Sequence, residues 1–551
     1  MRFQSWDEIE EYGDGPTIAE RKLKAAAEVG EFCELGPDDQ IPTEPADWDN
    51  LNTEHEAKHI RAEVLSWVLE SQNTPANKKQ LVAIDGAYVS GSLNVAGSNI
   101  QYELQLYGCR FQEEIFCQGS TWQRSVTFQA CSLAGLFARA ASFNRGLSIT
   151  QAEVTGTKHS SIDLENAKIF GNLTINNTAF GETVALSGMS VSGQLIASES
   201  KFRSSNDFAL RAQSLTIERD FILDNTYFQG DASLDRLVLR GKFQCIGTQF
   251  SASNFFALSM QSAKLTDGWS FRPKKVEGVV ALNAAHVENF QDAPDDFPST
   301  GIFLRDGFTY TRLFGPTDAK TRLAWLAKGD CWDDVFYPQP YKQLASVLDD
   351  MGHELAAQAI RITLACKLRQ NSRLQLKVVP NGDLSTGLHS IWCDICRLTL
   401  GAKDSISLVL TAHGYKPQRS LYALILLFAA ATFPAQWAWD EGSFAPNSGP
   451  ILLSEGWQEL ARDDSIQNPA AEWTNRNAIP GKDWETFNRY AYAADVVIPI
   501  VEFGQTDAWA PSTERGTWGY HLWYWRWIFT TLGWIVTALG AAALTGIIRR
   551  D

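Results

Sequence analysis

The central part of the chain, residues 93–287, repeats one short pattern of apolar positions. Each copy places two apolar or small residues two positions apart, with a third apolar residue seven positions after the first. Clear copies are Leu93/Val95/Ile100, Leu104/Leu106/Phe111, Leu173/Ile175/Phe180, Trp269/Phe271/Val276 and Val280/Leu282/Val287. Because alternate side chains of a strand point to opposite faces, the paired positions predict very short strands with one buried face.

Successive copies often begin eleven residues apart, as at positions 93, 104, 115 and 126. Short strands on a fixed period bury their apolar faces by stacking, which is typical of solenoids. The residue five positions after the first apolar one is often small, as at Ser98, Cys109 and Ala167, which suits a tight corner. We therefore predict a β-solenoid over residues 81–290, in which two eleven-residue half-coils make one coil. A β-sandwich of short strands is the alternative, but it does not require the third apolar residue.

The spacing resembles that of pentapeptide-repeat proteins, loosened to alternating five- and six-residue sides. The resemblance implies a mainly β fold containing a right-handed parallel β-helix. On either side of it we predict a polar, loosely structured segment (1–50), a capping helix (51–80), and a linker with juxtamembrane helices (291–400). The capping helix has an apolar stripe and would cover the first coil, since terminal repeats need caps. The stripe consists of Ile60, Val64, Leu65, Val68 and Leu69.

Two stretches near the C-terminus are long and apolar enough to cross a bilayer. Residues 420–439 carry no charge, and the second predicted span, 524–548, is uncharged from Trp527 onward. Lys416 and Arg419 precede the first span, Arg549 and Arg550 follow the second, and residues 440–519 hold thirteen acidic against five basic side chains. The positive-inside rule then predicts cytoplasmic termini and a cytoplasmic solenoid, with 440–519 as an acidic extracytoplasmic loop.

Composition narrows the choice of partner and compartment. The formal net charge of −16 argues against a nucleic-acid partner held through its phosphates. All nine cysteines precede the first apolar span, which favours a reduced compartment for this part of the chain. The acidic start of the sequence has no hydrophobic signal region. We expect a multi-pass protein whose partners are the bilayer, further copies of itself and an unknown cytoplasmic protein.

His55, Glu56 and His59 match the H-E-x-x-H pattern that places two zinc ligands on one helix face. No familiar third ligand follows, and Lys58 would lie beside the metal ion. An exposed, charged helical turn is therefore favoured over a zinc site.

Cys393 and Cys396 form a C-x-x-C pair, which occurs both in redox centres and in zinc sites. Neither a second such pair nor a thioredoxin-like βαβ pattern accompanies it. Packing within an amphipathic juxtamembrane helix is favoured over chemistry at these two thiols, and no cofactor motif is evident.

The segment between the spans has a feature of its own. Residues 487–500 could form a short re-entrant helix, followed by a turn in which Glu502, Gly504 and Asp507 are pore candidates. An amphipathic helix lying on the bilayer is the alternative. In the second span the small residues Ala538, Ala542 and Gly546 recur every four positions, which predicts close helix packing and oligomerisation.

From about Ile60 onward the chain resembles bacterial two-span membrane proteins with degenerate pentapeptide-like β-helices, commonly labelled "membrane-associated oxidoreductase" or "membrane protein". The resemblance implies a location in the bacterial inner membrane but no catalytic residues. It rests on Ile60-Arg-Ala-Glu63, Asp306-Gly-Phe-Thr-Tyr310, Pro338-Gln-Pro-Tyr-Lys-Gln-Leu-Ala345, Gly352-His353, Gly414-Tyr-Lys-Pro417, Ile498-Pro-Ile-Val-Glu-Phe-Gly-Gln505 and Leu544-Thr-Gly546.

Three interpretations of function follow. The first is a membrane-anchored cytoplasmic scaffold or sensor without evident catalysis, because solenoids usually work through extended surfaces. The second is an oligomeric two-span ion channel with a pore loop near 487–505. The third is an oxidoreductase that uses the Cys393/Cys396 pair.

Overall fold

The computed structural model describes residues 3–35, 57–71, 80–157, 160–293, 301–333, 335–375, 386–475 and 479–547. At 205–207, 253–254, 375, 386–396 and 479–480 it describes the backbone alone. The chain divides into two compact units, Met1–Arg361 and Ile362–Asp551.

The first unit is a β-solenoid of about ten coils, which confirms the predicted solenoid fold. Each coil has four sides, here named A to D in chain order, and each strand pairs in parallel with strands of the neighbouring coils on its side. In register, Val126 lies between Leu104 and Leu147, so inward apolar positions stack directly. The core is this column of inward side chains, and parallel strands 4.8 Å apart keep it continuous.

Most strands are short, and seven long ones run through a corner from one side to the next. Side A contains Phe32–Glu34, Leu81–Asp85, Glu103–Tyr107, Val126–Gln129, Gly146–Thr150, Asn172–Asn176, Leu195–Ile196, Phe221–Ile222 and Lys242–Ile246. Side B contains His59–Arg61, Tyr88–Ser90, Arg110–Phe111, Ser132–Leu133, Glu153–Val154 and Ala179–Phe180. Side C contains Leu93–Asn94, Ile115–Phe116, Leu136–Phe137, Ile162–Asp163, Val184–Ala185 and Ile302–Leu304. Side D contains Asn99–Ile100, Thr121–Trp122, Ser142–Phe143, Lys168–Ile169, Ser190–Val191, Thr216–Ile217 and Val238–Leu239. The long strands are Lys201–Arg211, Tyr227–Ser233, Gln249–Ser259, Lys264–Arg272, Lys275–Ala281, His286–Asp292 and Thr309–Phe314.

A left-handed residue occupies two of the four corners in most coils and repeats about every eleven residues. Its amide N–H donates to the neighbouring coil, as Gly108 does to Gln129 and Ala130 to Thr150, at 2.9 Å in both cases. The following residue points inward, and a small side chain fits there. Cys109, Ala141 and Ala167 are all buried at this position, as the spacing predicted.

Two ladders along the solenoid show how these positions stabilise the stack. At one corner Ser200, Thr226 and Thr248 donate their hydroxyls to carbonyls of the preceding coil, at 2.7, 2.5 and 2.6 Å. On side B a ladder of phenylalanines stacks with ring centroids 5.0, 4.8 and 5.2 Å apart. It consists of Phe180, Phe202, Phe228 and Phe250. Each ring adds buried area and a favourable aromatic pair.

The N-terminal end is more ordered than predicted. Residues 1–50 include helices α1 (Trp6–Glu11) and α2 (Ile18–Val29) and a strand of side A. The predicted cap is present as α3 (Ala62–Glu70), which packs on the first strands of sides C and D. The carboxylate of Glu20, fully buried in α2, accepts from Arg61 Nε and Nη2 at 2.8 Å each. This pair joins α2 to the edge of the first coil, an interaction that the polar composition of the segment does not show.

The C-terminal end of the solenoid also differs from the prediction, since the stack continues to Phe314 instead of ending at 290. Phe303, Arg305 and Tyr310 keep the same spacing of two and seven, but a buried arginine takes the second inward position. Its Nη1 and Nη2 donate to the carbonyls of Trp325 and Leu326 at 2.9 and 2.8 Å. Burial lowers the pKa of Arg305 to about 10. Because Arg305 occupies a position that is apolar in the other copies, the sequence pattern did not predict this last copy.

Helices α4 (Ala319–Ala327) and α5 (Gln339–Asp350) close this end. Gln343 donates its side-chain amide to the carbonyl of Tyr310 at 2.7 Å, and the Gln339 amide oxygen accepts from Gly307 N at 3.0 Å. The residues around 306–310 and 338–345 that carried the family resemblance therefore build the cap. Between the two helices, Cys331–Trp332 and Val335–Phe336 form a small antiparallel pair.

The second unit is helical, and its boundary with the first falls within α6 (Glu354–Gln375). Its other elements follow in chain order, with Phe444–Pro446 and Trp509–Pro511 as an antiparallel strand pair. The helices are α7 (Thr386–Thr411), α8 (Gln418–Asp440), α9 (Gly449–Leu452), α10 (Glu455–Arg462), α11 (Pro469–Asn475), α12 (Ile479–Lys482), α13 (Arg489–Val497), α14 (Gln505–Ala508) and α15 (Thr517–Leu544). Two of them, α8 and α15, are long and apolar enough to cross a membrane.

Candidate functional site

The segment between α8 and α15 is folded rather than a simple loop. Trp439, Phe444, Phe487 and Trp509 form an aromatic core, in which the Trp439 and Phe487 rings stack 4.3 Å apart. The antiparallel strand pair joins the two ends of the segment next to the ends of α8 and α15. The acidic composition concealed this core, because the acidic side chains lie outside it.

Helix α13, inside the predicted 487–500 segment, packs against both long helices. Its residues Ala493 and Val497 belong to the same buried cluster as Ala431 and Ala435 of α8. On α15, Thr530 donates its hydroxyl to the carbonyl of Val496 at 3.0 Å. A Cβ at Gly533 would overlap the carbonyl oxygen of Val497, so glycine permits this close approach. The C-terminal end of α13 therefore lies against the middle of α15.

The chain reverses direction after α13 in an irregular turn, Ile498–Gly504, which Asp495 stabilises. The carboxylate of Asp495 accepts from the backbone N–H groups of Phe503, Gln505 and Thr506 at 2.5, 2.7 and 3.2 Å. Hydrogen bonds to a charged acceptor are stronger than those between neutral groups. One carboxylate thus satisfies three backbone donors and sets the conformation of the turn.

Gln505 anchors the returning chain to the start of α13. Its side chain is buried, donates to Glu485 Oε2 at 2.9 Å and to the Thr486 carbonyl at 3.1 Å, and accepts from Asn488 N at 2.9 Å. Asn488 in turn caps α13 by accepting from the N–H groups of Tyr490 and Ala491. The turn is consequently fixed at both ends.

The tip of this turn presents a mixed surface. Ile500 is 80% exposed and Phe503 is 55% exposed, and the exposed carboxylate of Glu502 lies between them in the chain. Gly504 adopts a left-handed φ of 78° immediately before α14, and Asp507 is exposed on that helix. The predicted loop residues are thus brought to one tip, with Glu502 flanked by two exposed apolar side chains.

Glu441, just beyond α8, holds the start of α15 in place. Its carboxylate accepts from Thr517 N at 3.0 Å and from Trp518 N at 2.8 Å. Partial burial raises the pKa of Glu441, but these bonds and others from Ser443 and Thr517 outweigh it, so its pKa lies below the usual value. The carboxylate also lies at the positive end of the helix dipole, which favours it.

Two of the small residues predicted to mediate packing, Ala538 and Ala542, lie on α15, and the third follows it. Ala538 is exposed, Ala542 is partly buried, and Gly546 lies beyond the helix end with a φ of 76°. The buried small residues of α15 are Gly519, Gly533, Gly540 and Ala543, and Gly540 lies next to Ser420 of α8. A four-residue period alone could not tell which side of the helix meets its neighbour.

Of the zinc-type motif the structure describes Ala57, Lys58 and His59, and these three residues are not in a helix. His59 is in the strand His59–Arg61, and its Nε2 lies 2.6 Å from the Ser90 hydroxyl on side B. Its partners His55 and Glu56 are outside the described residues. In the described part of the chain, no three His, Cys, Asp or Glu side chains lie together as a metal site would need.

Cys393 and Cys396 lie on α7, but their side chains are outside the described part of the structure. Cys33, Cys109 and Cys117 are buried in the solenoid unit, and burial raises the pKa of Cys33 and of Cys117 to about 12. A thiol with a raised pKa is a poor nucleophile at neutral pH.

The sequence pattern did not identify Asp495 and Gln505 as the residues that stabilise the turn. One signal was available, since Asp495 is the only charged residue between Arg489 and Glu502.

Comparisons of the chain with protein-family models, curated proteins and solved structures gave no match.

Proposed function

We propose that α8 and α15 anchor the chain in a bilayer. The most apolar 18-residue stretches of α8 and α15 have a mean hydropathy of 1.6 and 1.7. Only 28% and 22% of these stretches, respectively, are buried within the protein. Large apolar side chains cover the remaining surface, such as Leu426 and Phe433 on α8 and Trp527 and Ile535 on α15. A patch of this kind on a helix pair calls for lipid or protein cover. This exposed apolar surface is the observation that carries the proposal.

The distribution of charge supports one orientation. Lys416 lies before α8, Arg419 is in its first turn, and acidic residues follow the helix, which supports a cytoplasmic side for the solenoid and both termini. The family resemblance adds the bacterial inner membrane and a pentapeptide-type solenoid to this proposal.

Cysteine labelling tests the orientation. In intact cells, a membrane-impermeant maleimide should label a Ser465→Cys variant, whose new thiol lies in the segment between the long helices. The native Cys331, exposed beside the solenoid cap, should react only after the cells are permeabilised. Equal labelling of both thiols in intact cells would contradict this topology, and recovery of the chain without membranes would contradict the anchor itself.

The solenoid itself serves, in this proposal, as a scaffold or sensor for an unknown cytoplasmic protein. Its side A presents one central outward row that stays uncharged over eight coils. The row consists of Gln105, Thr127, Ser148, Thr174, Ile196, Ile222, Gln244 and Ser270. Repetition of coils gives the long, flat surface that solenoid proteins use for binding.

Adding charge to this row should abolish capture of the partner. A Thr174→Lys/Ile196→Lys variant keeps the inward residues and should lose at least about tenfold in binding of proteins that wild type retains, because two unpaired charges would be desolvated. Ser190→Lys/Thr216→Lys on side D is the matched control. Equal capture by wild type and both variants would remove side A from consideration.

A second candidate function, ion conduction by an oligomer, is favoured by the placement of α13. A half-helix that ends against the middle of two long apolar helices and continues into an exposed acidic turn is the arrangement of a pore loop. The channel proposal is independent of the solenoid's partner. It requires that copies assemble around the turn.

Ion flux from liposomes tests this candidate. Glu502→Gln should reduce cation flux by about tenfold, because a ring of carboxylates concentrates cations by an amount on the order of 1.4 kcal/mol. Glu455→Gln, on the surface of α10, removes the same charge elsewhere and should leave flux unchanged. Silent liposomes containing wild-type protein would eliminate the channel and leave α8 and α15 as an anchor.

A further inference from the structure

If α15 spans the bilayer, as proposed above, the turn Ile498–Gly504 lies deep in the hydrocarbon layer, where irregular backbone is unusual. Helix α15 has 28 residues, about 42 Å at 1.5 Å per residue. Gly533, which contacts the end of α13, follows Thr517 by 16 residues, or about 24 Å along the helix. The residues after Val497 therefore lie near the middle of the hydrocarbon layer, about 30 Å thick.

Lipid is a poor neighbour for this turn. Irregular backbone is tolerated at such depth only where protein covers it or where it lines a water-filled space. Asp495 satisfies the N–H groups of Phe503, Gln505 and Thr506, but Glu502 is exposed. A carboxylate facing acyl chains costs several kcal/mol.

Water alone is a poor neighbour too, because Ile500 and Phe503 are largely exposed on either side of Glu502. The exposed tip of the turn therefore needs apolar cover for Ile500 and Phe503 and water for the Glu502 carboxylate. Copies of the same chain arranged around an axis supply both. Apolar side chains of neighbouring copies meet, and the carboxylates line a water-filled centre. Closed cyclic symmetry is the usual form of such assemblies.

We propose that a second copy of this chain covers the turn Ile498–Gly504, and that the Glu502 carboxylates of the assembled copies form a cation site on their common axis. The proposal rests on the membrane anchor proposed above. It assigns the contact between copies to the turn that the channel hypothesis placed near 487–505, instead of to the small residues that the sequence predicted as the contact in α15. Asp495 is a positioning residue for this site, because it acts through the turn's backbone.

Crosslinking of the full-length protein in native membranes tests the contact. Ile500→Cys should give covalent dimers with a short bis-maleimide, well above the background from wild type with its native cysteines. Leu453→Cys, equally exposed but outside the turn, is the matched control and should give none. Crosslinks at Ala538→Cys together with none at Ile500→Cys would overturn the proposal in favour of the small-residue contact.

Two further measurements separate the possible failures. Alkaline carbonate extraction reports the anchor: protein that leaves the membrane overturns the spanning helices and the assembly with them. Protein that resists extraction but has the mass of a single subunit in native mass spectrometry overturns the assembly alone. Retention in the membrane, a mass of several subunits and loss of thallium binding in Glu502→Gln would support both the shared turn and its cation site.

Discussion

Replacing Arg322 with methionine should destabilise the last coil of the solenoid by about 3–5 kcal/mol. The guanidinium of Arg322 and the carboxylate of Asp292 form a two-point ion pair at 2.7 and 2.8 Å, and both side chains are fully buried. Arg322 Nε also donates to the Pro316 carbonyl at 2.5 Å. Methionine fills much of the same volume but leaves the Asp292 carboxylate buried without its partner.

The loss should appear locally, because each coil of a solenoid contacts only its neighbours. Hydrogen exchange should accelerate in peptides covering 286–314 and stay near wild type in peptides around 104–150. An Arg322→Met/Asp292→Leu variant, which removes both charges, is the control and should recover most of the stability. The explanation fails if the double variant exchanges as fast as the single one, or if the single variant behaves like wild type.

Replacing Asp495 with asparagine should release the turn after α13. Asparagine has nearly the same shape, but an NH2 group replaces one of the two carboxylate oxygens. That NH2 group cannot accept the backbone N–H hydrogen bonds that the oxygen accepts in wild type. Loss of charge-assisted hydrogen bonds should cost about 2–3 kcal/mol. We expect faster hydrogen exchange over 498–506 and, if the chain conducts, a flux that falls although no pore-facing charge has been removed.

Asp507→Asn is the matched control for this variant, since it makes the same change on the exposed side of α14. It should leave exchange over the turn unchanged. Equal protection of the turn in the Asp495 variant and in wild type would show that Gln505 alone holds the segment. In that case Gln505→Ala would be the variant to disrupt it.

The solenoid could be predicted because its stability is periodic. Every coil must bury the same inward positions. Apolar residues therefore recur with offsets of two and seven positions along the chain from Leu93 to Val287. The small residues at corners follow from the same constraint, since a left-handed residue is followed by an inward position with little room. Composition and length likewise suffice for two candidate spans, because hydrophobic thickness is a local requirement.

The end of the solenoid could not be predicted in this way. At Asp292 and Arg305 charged side chains occupy inward positions, because the last coil has no further coil above it and closes on helices instead. Their partners, Arg322 and carbonyls in the last turn of α4, lie 20 or more residues away in sequence. Periodicity holds only where each coil has a coil on both sides.

The sequence by itself determined the repeated coil, the two long apolar helices and a short helix between them, because each depends on neighbouring residues. Only the tertiary structure decided where these elements meet. It placed Val497 against Gly533, the Asp495 carboxylate on the N–H groups of the turn, and Glu502 at the exposed tip. Those contacts depend on shape and on donors far apart in the chain, which no spacing rule encodes.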